Sequence, residues 1–148
     1  MASPEIDIVL PCYNSAPWLD GMIESIVAQD GPTWRIVARD DGSKDATGEL
    51  LTAWQSRLGA ARMVVLENPQ RQNLGIAGSF TATLRETSAQ WILTADPDDI
   101  WLPGHLARVV GALQEAALEL GADVPVAVCT DAAVIDEQHN PIAASYWQ

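Results

Sequence analysis

Three carboxylates fall within four residues at Asp96-Pro97-Asp98-Asp99, directly after the apolar run Trp91 to Ala95 and before Ile100-Trp101-Leu102-Pro103. Like charges repel, and packing gives no reason to gather them at the end of a buried strand. A hard divalent cation does, because Mg²⁺ and Mn²⁺ take oxygen ligands and commonly share them with substrate phosphates. Read alone, the triplet is better explained as a solvated turn that caps the following helix. A second acidic turn, Asp40-Asp41-Gly42-Ser43, changes that balance, because it too follows a strand-like run. Pro11-Cys12-Tyr13-Asn14 closes another run, and a polar loop from Asn68 to Gly75 closes a further one, with Asn73-Leu74-Gly75 opening the next helix.

Each of these groups has a plain structural reading beside the chemical one. Tyr13 and Asn14 suit a strand-end turn. Ser43 suits a helix cap, with Asp45 favourable near the helix N-terminus, although this accounts less well for Asp40 and Asp41. Asn73 is as well placed to cap a helix as to touch a ligand. Asp99 suits bracing of the Pro103 region, and Trp101 suits core or rim packing. His105 and His139 read as surface residues.

Positioning such loops takes a sheet. Strand-length apolar runs alternate with helix-period segments, the pattern of an α/β domain with a mostly parallel sheet. Ile6 to Leu10 reads as the first strand, broken only by Asp7, and Leu19, Met22, Ile23, Ile26 and Val27 follow at helical spacing behind Ser15 as a cap. Trp34 to Arg39 is the second strand, ahead of a helix carrying Leu50, Leu51, Trp54 and Leu58. Met63 to Leu66 is the third, ahead of a helix whose apolar face is Ile76, Phe80 and Leu84. Trp91 to Ala95 is the fourth, and Pro103 suits the first turn of a helix buried through Leu106, Val109, Val110, Leu113 and Leu120. Val124 to Cys129 is predicted as a fifth strand, and Ala132–Ile135 with Ile142–Ala144 as a hairpin around Asp136 to Pro141. In open α/β sheets ligands bind beyond the carboxyl ends of the strands, which is where the polar loops fall.

Composition narrows the class. The chain has 148 residues, enough for one domain, with 48% hydrophobic and 19% charged residues. No apolar stretch approaches the ~18 residues of a membrane span, and Met1-Ala2-Ser3-Pro4-Glu5 lacks the basic-then-apolar order of a signal peptide. Cys12 and Cys129 form neither a metal pair nor a disulfide framework; each reads as a small hydrophobe, which fits a reducing cytoplasm. A net charge of −12, from 20 acidic and 8 basic residues, argues against nucleic acid. A phosphate-bearing substrate would need a metal to supply positive charge locally. The G-x-G-x-x-G and G-x-x-x-x-G-K-[ST] loops are absent, so a dinucleotide oxidoreductase and a P-loop NTPase have no support.

The ordered set Ile8 to Asn14, Asp40 to Asp45, Asn73 to Ala77 and Ala95 to Trp101 resembles the family 2 glycosyltransferases of the GT-A fold, and its Ile-Trp-Leu-Pro tail looks most like bacterial members that include rhamnosyltransferases. The resemblance runs from Ile6 to about Ile142. It implies a three-layer α/β/α, Rossmann-like domain, C-terminally truncated, in which Pro11 and Tyr13 line the nucleotide base and Asn14 belongs to the same donor loop. Asp41 would accept a hydrogen bond from the base, with Asp40 supporting that turn or the ribose. Asn73 and Gly75 would lie near the sugar and diphosphate. Asp96 would face the ribose or the metal's water shell, and Asp98 would bind Mg²⁺ or Mn²⁺. The implied partners are a dTDP-, UDP- or GDP-linked sugar donor and a glycan or lipid-linked acceptor, handled in the cytoplasm or at the inner face of the membrane. Exposed sheet edge would favour a homodimer.

Inverting transfer also needs a general base for the acceptor hydroxyl. The family places it beyond the hairpin, past Gln148, so the chain carries a donor-binding half without an identifiable base. Asp131 matches a position for acceptor or sugar contact, and Asp136 is a poorer candidate. The alternatives are a binding module that kept the donor site and lost transfer, and a nucleotidyltransferase. The latter chemistry wants basic residues against a triphosphate, and the motif loops hold only Lys44 and Arg71.

Overall fold

The computed structural model describes residues 5–121 and 123–147. Residues 1–4, which carry most of the signal-peptide reading, and Gln148 lie outside the described residues. Four apolar runs become one parallel sheet: β1 (Ile6–Cys12), β2 (Trp34–Asp40), β3 (Met63–Leu66) and β4 (Trp91–Thr94), in the order β3-β2-β1-β4. The connections are α1 (Ala16–Val27), α2 (Thr47–Leu58) and α3 (Gly75–Arg85). The first two crossovers step one way across the sheet and the third returns past β1. Right-handed crossovers therefore put α1 and α2 on one face and α3 on the other. In agreement, α1 packs on α2, α2 packs on β2 and β3, and α3 packs on β1 and β2.

Ile8, Val9, Leu10, Ile36 and Val37 on the strands are buried, as are Leu19, Met22, Ile23 and Ile26 on α1 and Leu51 and Trp54 on α2. Burial of each such side chain contributes about 1.5–3 kcal/mol. Strand β1 runs two residues past its predicted end, through Pro11. The Val9 carbonyl accepts from Ala95 N–H on the β4 side and the Cys12 carbonyl accepts from Asp41 N–H on the β2 side. Alternation along a strand then turns the Pro11 nitrogen toward β4, beyond the last β1–β4 pair, where its missing N–H costs the ladder nothing.

Asp7, the break in the first apolar run, is fully buried. Its carboxylate takes a bidentate pair from Arg35 at 2.8 and 2.9 Å and the amides of Ser88 and Ala89 at 2.6 and 3.0 Å. These bonds join β1, β2 and the approach to β4 at the amino end of the sheet, away from the polar loops.

The predicted apolar face of α3 is inverted. Ser79 and Thr83 are buried, whereas Ile76 is 81% exposed and Leu84 is also exposed. Small residues let this helix approach the sheet closely, and the large ones are left for another surface.

Two compact units divide the chain, Met1–Ala107 and Arg108–Gln148. Helix α4 (His105–Leu120) begins in the first; Val109, Val110 and Leu113 are buried, but Leu120 is exposed, against expectation. In the second unit the expected hairpin forms from β5 (Val134–Ile135) and β6 (Pro141–Ala143), antiparallel, with Asp136 accepting from Gln138 and Asn140 N–H across the turn. The predicted fifth strand at Val124 to Cys129 does not form: residues 125–130 pair with no strand, and Cys129 is exposed. An apolar run becomes a strand only where a neighbour offers a ladder. Among the described residues no helix is long and apolar enough to cross a membrane.

Candidate functional site

The strand order reverses between β1 and β4, and the polar loops gather at the carboxyl end of the sheet. The loop after β1 is fixed to the loop after β2. Ser43 Oγ accepts from Asn14 N–H at 2.9 Å, Asn14 Oδ1 from Lys44 N–H at 2.8 Å, and Thr47 Oγ1 from Ser15 N–H at 2.8 Å. Asp45 Oδ2 accepts from Ala16 N–H at 3.1 Å, so α1 is capped from the neighbouring loop. The two predicted serine caps are thereby corrected. Ser15 stands at the N-cap of α1, but its hydroxyl accepts from Tyr13 N–H, and Ser43 precedes α2 by a turn and serves Asn14 instead.

Asp41 ties the β2 loop to α3. Its carboxylate accepts from Leu74 N–H at 3.0 Å and Gly75 N–H at 2.9 Å, the amides a helix leaves unpaired at its start. The buried Arg39 guanidinium lies 3.3 Å away and also reaches the Gln72 carbonyl at 3.1 Å. Asp41 thus reaches the crevice as a buried wall group whose oxygens are already engaged. Asn73 Oδ1 accepts from Gly75 N–H at 3.0 Å, a capping contact. Asp40 Oδ1 closes its own turn on Ser43 N–H at 2.9 Å. Gly42 sits at φ +80° against the Arg71 carbonyl, and Arg71 donates to the Ser43 carbonyl.

The acidic segment is anchored on its far side. Ser25 Oγ accepts from Trp101 N–H at 3.0 Å, while buried Gln29 donates to the Leu102 carbonyl and accepts from Leu106 N–H, both at 3.1 Å. Trp101 is buried as expected, and the His105 ring meets it tilted at 46°, with centroids 4.7 Å apart. Burial, then the negative charge of Asp98, push the Asp96 carboxyl above its ordinary range. Asp99 is pushed the same way by burial, then by Asp96 and Asp98. Crowded carboxylates are hard oxygen donors of the type that a divalent cation takes. Among the described residues no three candidate ligand side chains converge on one point, so the remaining ligands would have to be phosphate and water oxygens.

One cleft of about 380 Å³ gathers Pro11, Tyr13, Asp41, Asn73, Gly75 and Asp96 from the loops that follow all of the parallel strands. Asn14, Asp40 and Asp98 are not on its walls. Asn14 is spent on the clasp between loops, and Asp40 lines a separate cavity of about 480 Å³ with Asp45, Glu49 and Arg71.

The family model for "Glycosyl transferase family 2" matches residues 7–132. The chain belongs to this glycosyltransferase family. A succinoglycan biosynthesis protein, ExoO of Rhizobium meliloti, is 32% identical over 120 residues, covering 81% of this chain and 33% of the relative. Two solved structures share the fold. S. aureus TarS, in complex with UDP-GlcNAc, has a TM-score of 0.64 at 20% identity, covering 77% of this chain and 32% of that one. The mannosyltransferase PcManGT of Pyrobaculum calidifontis, in complex with GDP-Man and Mn²⁺, has a TM-score of 0.65 at 24% identity, covering 74% and 32%. The chain spans about a third of the length of each of these.

Within this family framework, several cleft residues were not legible beforehand. Cys12, Ser15, Ile76, Ser79, Phe80 and Pro97 complete the walls. Ile76 and Phe80 carried a signal, their helical spacing, but it pointed to a core. The buried Cys12 thiol is raised far above its ordinary value, by burial first and then by Asp40 and Asp45, and packs as a hydrophobe. Arg39, a cation ending an apolar strand, was the sequence sign of the buried pair with Asp41. Asp131 and Asp136, the two carboxylates weighed as a base, are built into the second unit. Asp131 accepts from Ala132 and Tyr146 N–H, and its carboxyl is held down chiefly by the Ser145 hydroxyl; Asp136 is held down chiefly by the Asn140 side chain. A lowered carboxyl is a weaker base.

Proposed function

We propose that the chain is the donor-binding part of a metal-dependent, inverting glycosyltransferase. It would take a sugar from a nucleoside diphosphate and serve a glycan or lipid-linked acceptor in bacterial surface polysaccharide synthesis, at the cytoplasmic face of the membrane. The observation that carries this reading is one cleft lined from the loops after all four parallel strands. It has flat apolar walls at Pro11, Tyr13 and Phe80 and an acidic rim at Asp96. A nucleotide is likewise apolar-faced at one end and anionic at the other. Pro11 and Tyr13 receive the base, Asn73 and Gly75 border the sugar and diphosphate, and Asp96 and Asp98 hold Mg²⁺ or Mn²⁺. When bound, the cation stabilises the charge that builds on the departing nucleoside diphosphate. With a net charge of −12 on the chain, no comparable neutralisation comes from bulk electrostatics.

Calorimetry of the full chain with UDP, dTDP and GDP in Mn²⁺ tests the proposal. Saturable one-site binding that Asp98→Ala abolishes is expected. No heat from any of the three, or unaltered binding by Asp98→Ala, would remove its basis.

A further inference from the structure

Residues 96–100 belong to no strand or helix, and they carry three carboxylates that repel one another. Such a segment spreads unless its ends are fixed. At the near end Ala95 N–H donates to the Val9 carbonyl at 3.0 Å, and within the segment Asp99 N–H donates to the Asp96 carbonyl at 3.1 Å. The far end is fastened by α1. Ser25, in the last turn of that helix, donates its hydroxyl to the Met22 carbonyl at 2.7 Å and offers a lone pair to Trp101 N–H. Gln29, 8% exposed and just past the helix end, grips the Leu102 carbonyl with its amide nitrogen and Leu106 N–H with its amide oxygen. An apolar side chain at position 29 would fill the same space with no polar group to bury.

A short span between two fixed points has little freedom, so its carboxylates stay gathered before a cation arrives. Released at Trp101 and Leu102, the segment would relax under its own repulsion. The cation would then have to gather the oxygens again, at a cost to its affinity. We propose that Ser25 and Gln29 are positioning residues of the donor site, holding the far end of the acidic segment so that Asp96 and Asp98 stay together for the divalent cation. The proposal rests on the reading of that segment as the seat of the cation. Neither residue lines the cleft, so each acts through the segment and touches no part of the nucleotide.

The test compares the wild-type chain with Ser25→Ala, Gln29→Met and Asp20→Ala. Asp20 lies on the same helix, but its carboxylate accepts from Trp54 Nε1 on α2 at 2.7 Å, so its loss destabilises α1 without touching the acidic segment. One probe is whichever of UDP, dTDP and GDP binds wild type most tightly in Mn²⁺, measured by calorimetry. The other is the parent nucleoside, which has no diphosphate to share with a cation, measured by NMR titration. Ser25→Ala and Gln29→Met are expected to weaken the nucleoside diphosphate about tenfold, as losing a group that orients metal ligands does, and to leave the nucleoside unchanged. Asp20→Ala should lower Tm and alter neither probe. Wild-type affinity of Ser25→Ala and Gln29→Met for the nucleoside diphosphate would overturn the proposal. Equal weakening of both probes, or an equal loss in Asp20→Ala, would do the same by showing a general loosening of the fold. If the wild-type chain bound none of the three nucleotides, the donor-site reading itself would fall, and this inference with it.

Discussion

At the scale of single residues, the chain separates its acidic groups into those that build and those that are presented. Asp7 and Asp41 are buried and fully engaged, whereas Asp96, Asp98 and Asp99 crowd one another, and of these three Asp96 lines the cleft. Burial alone would raise the Asp7 carboxyl, but Arg35 and the amides of Ser88 and Ala89 outweigh it and hold it below the ordinary range. A lowered folded-state value means that the stabilisation is present above the unfolded carboxylate value of about 4, and is lost as pH falls through the lower folded one. Urea unfolding from pH 6 to pH 2 should therefore show an acid limb in stability, and Asp7→Asn should flatten it. At pH 7, Asp7→Ala should cost about 3 kcal/mol, because Arg35 is left without its counter-charge. Gly42 offers a second residue-scale check. It and Gly59 both sit at φ +80°, but a Cβ at Gly42 would collide with the Arg71 carbonyl, while one at Gly59 meets nothing. Gly59→Ala should cost about 2 kcal/mol of backbone strain, because with ψ 157° it occupies a region that is essentially glycine-only. Gly42→Ala should cost clearly more in the same urea titration, since it also pushes the β2 and β3 loops apart.

At the scale of elements, most of the fold was legible because strand and helix periods are local properties of the chain. The strands β1 to β4 and the helices between them fall within a residue or two of their predicted places, and their loops converge as the parallel pattern requires. What was not legible depends on contacts between distant segments. Val124 to Cys129 has the composition of a strand, but a strand exists only by pairing. Ser15 and Ser43 have the positions of caps, yet their hydroxyls serve the loop beside them. Helix α3 is the informative failure: the spacing of Ile76, Phe80 and Leu84 describes an apolar stripe, and no periodicity says whether a stripe meets a core or a ligand. The structure buries Ser79 and Thr83, and gives the cleft Ile76 and Phe80 beside Ser79. Accordingly Ile76→Ser should alter unfolding stability by no more than about 0.5 kcal/mol. Ile23→Ala, at a fully buried position of α1, should cost about 3 kcal/mol. The same Ile76→Ser change should weaken nucleotide binding measured by calorimetry, which a mere surface residue would not do.

At the scale of the whole molecule, membership of the glycosyltransferase family, the reversal of strand order and the composition of one cleft support the same reading. The carboxyl end of the sheet gathers the polar loops, the loops supply the walls of the cleft, and Asp96 is the proposed seat of the cation. Two cavities of similar size make this claim open to direct test, because they differ in chemistry. One joins apolar walls to Asp96, and the other is lined by Asp40, Asp45, Glu49 and Arg71. The decisive measurement is a crystal structure of the chain soaked with the tightest-binding nucleoside diphosphate and Mn²⁺. The base is expected between Tyr13 and Phe80, with the diphosphate and the cation together at Asp96 and Asp98. A nucleotide seated in the cavity beside Asp40 and Arg71, or a cation away from the acidic segment, would contradict it.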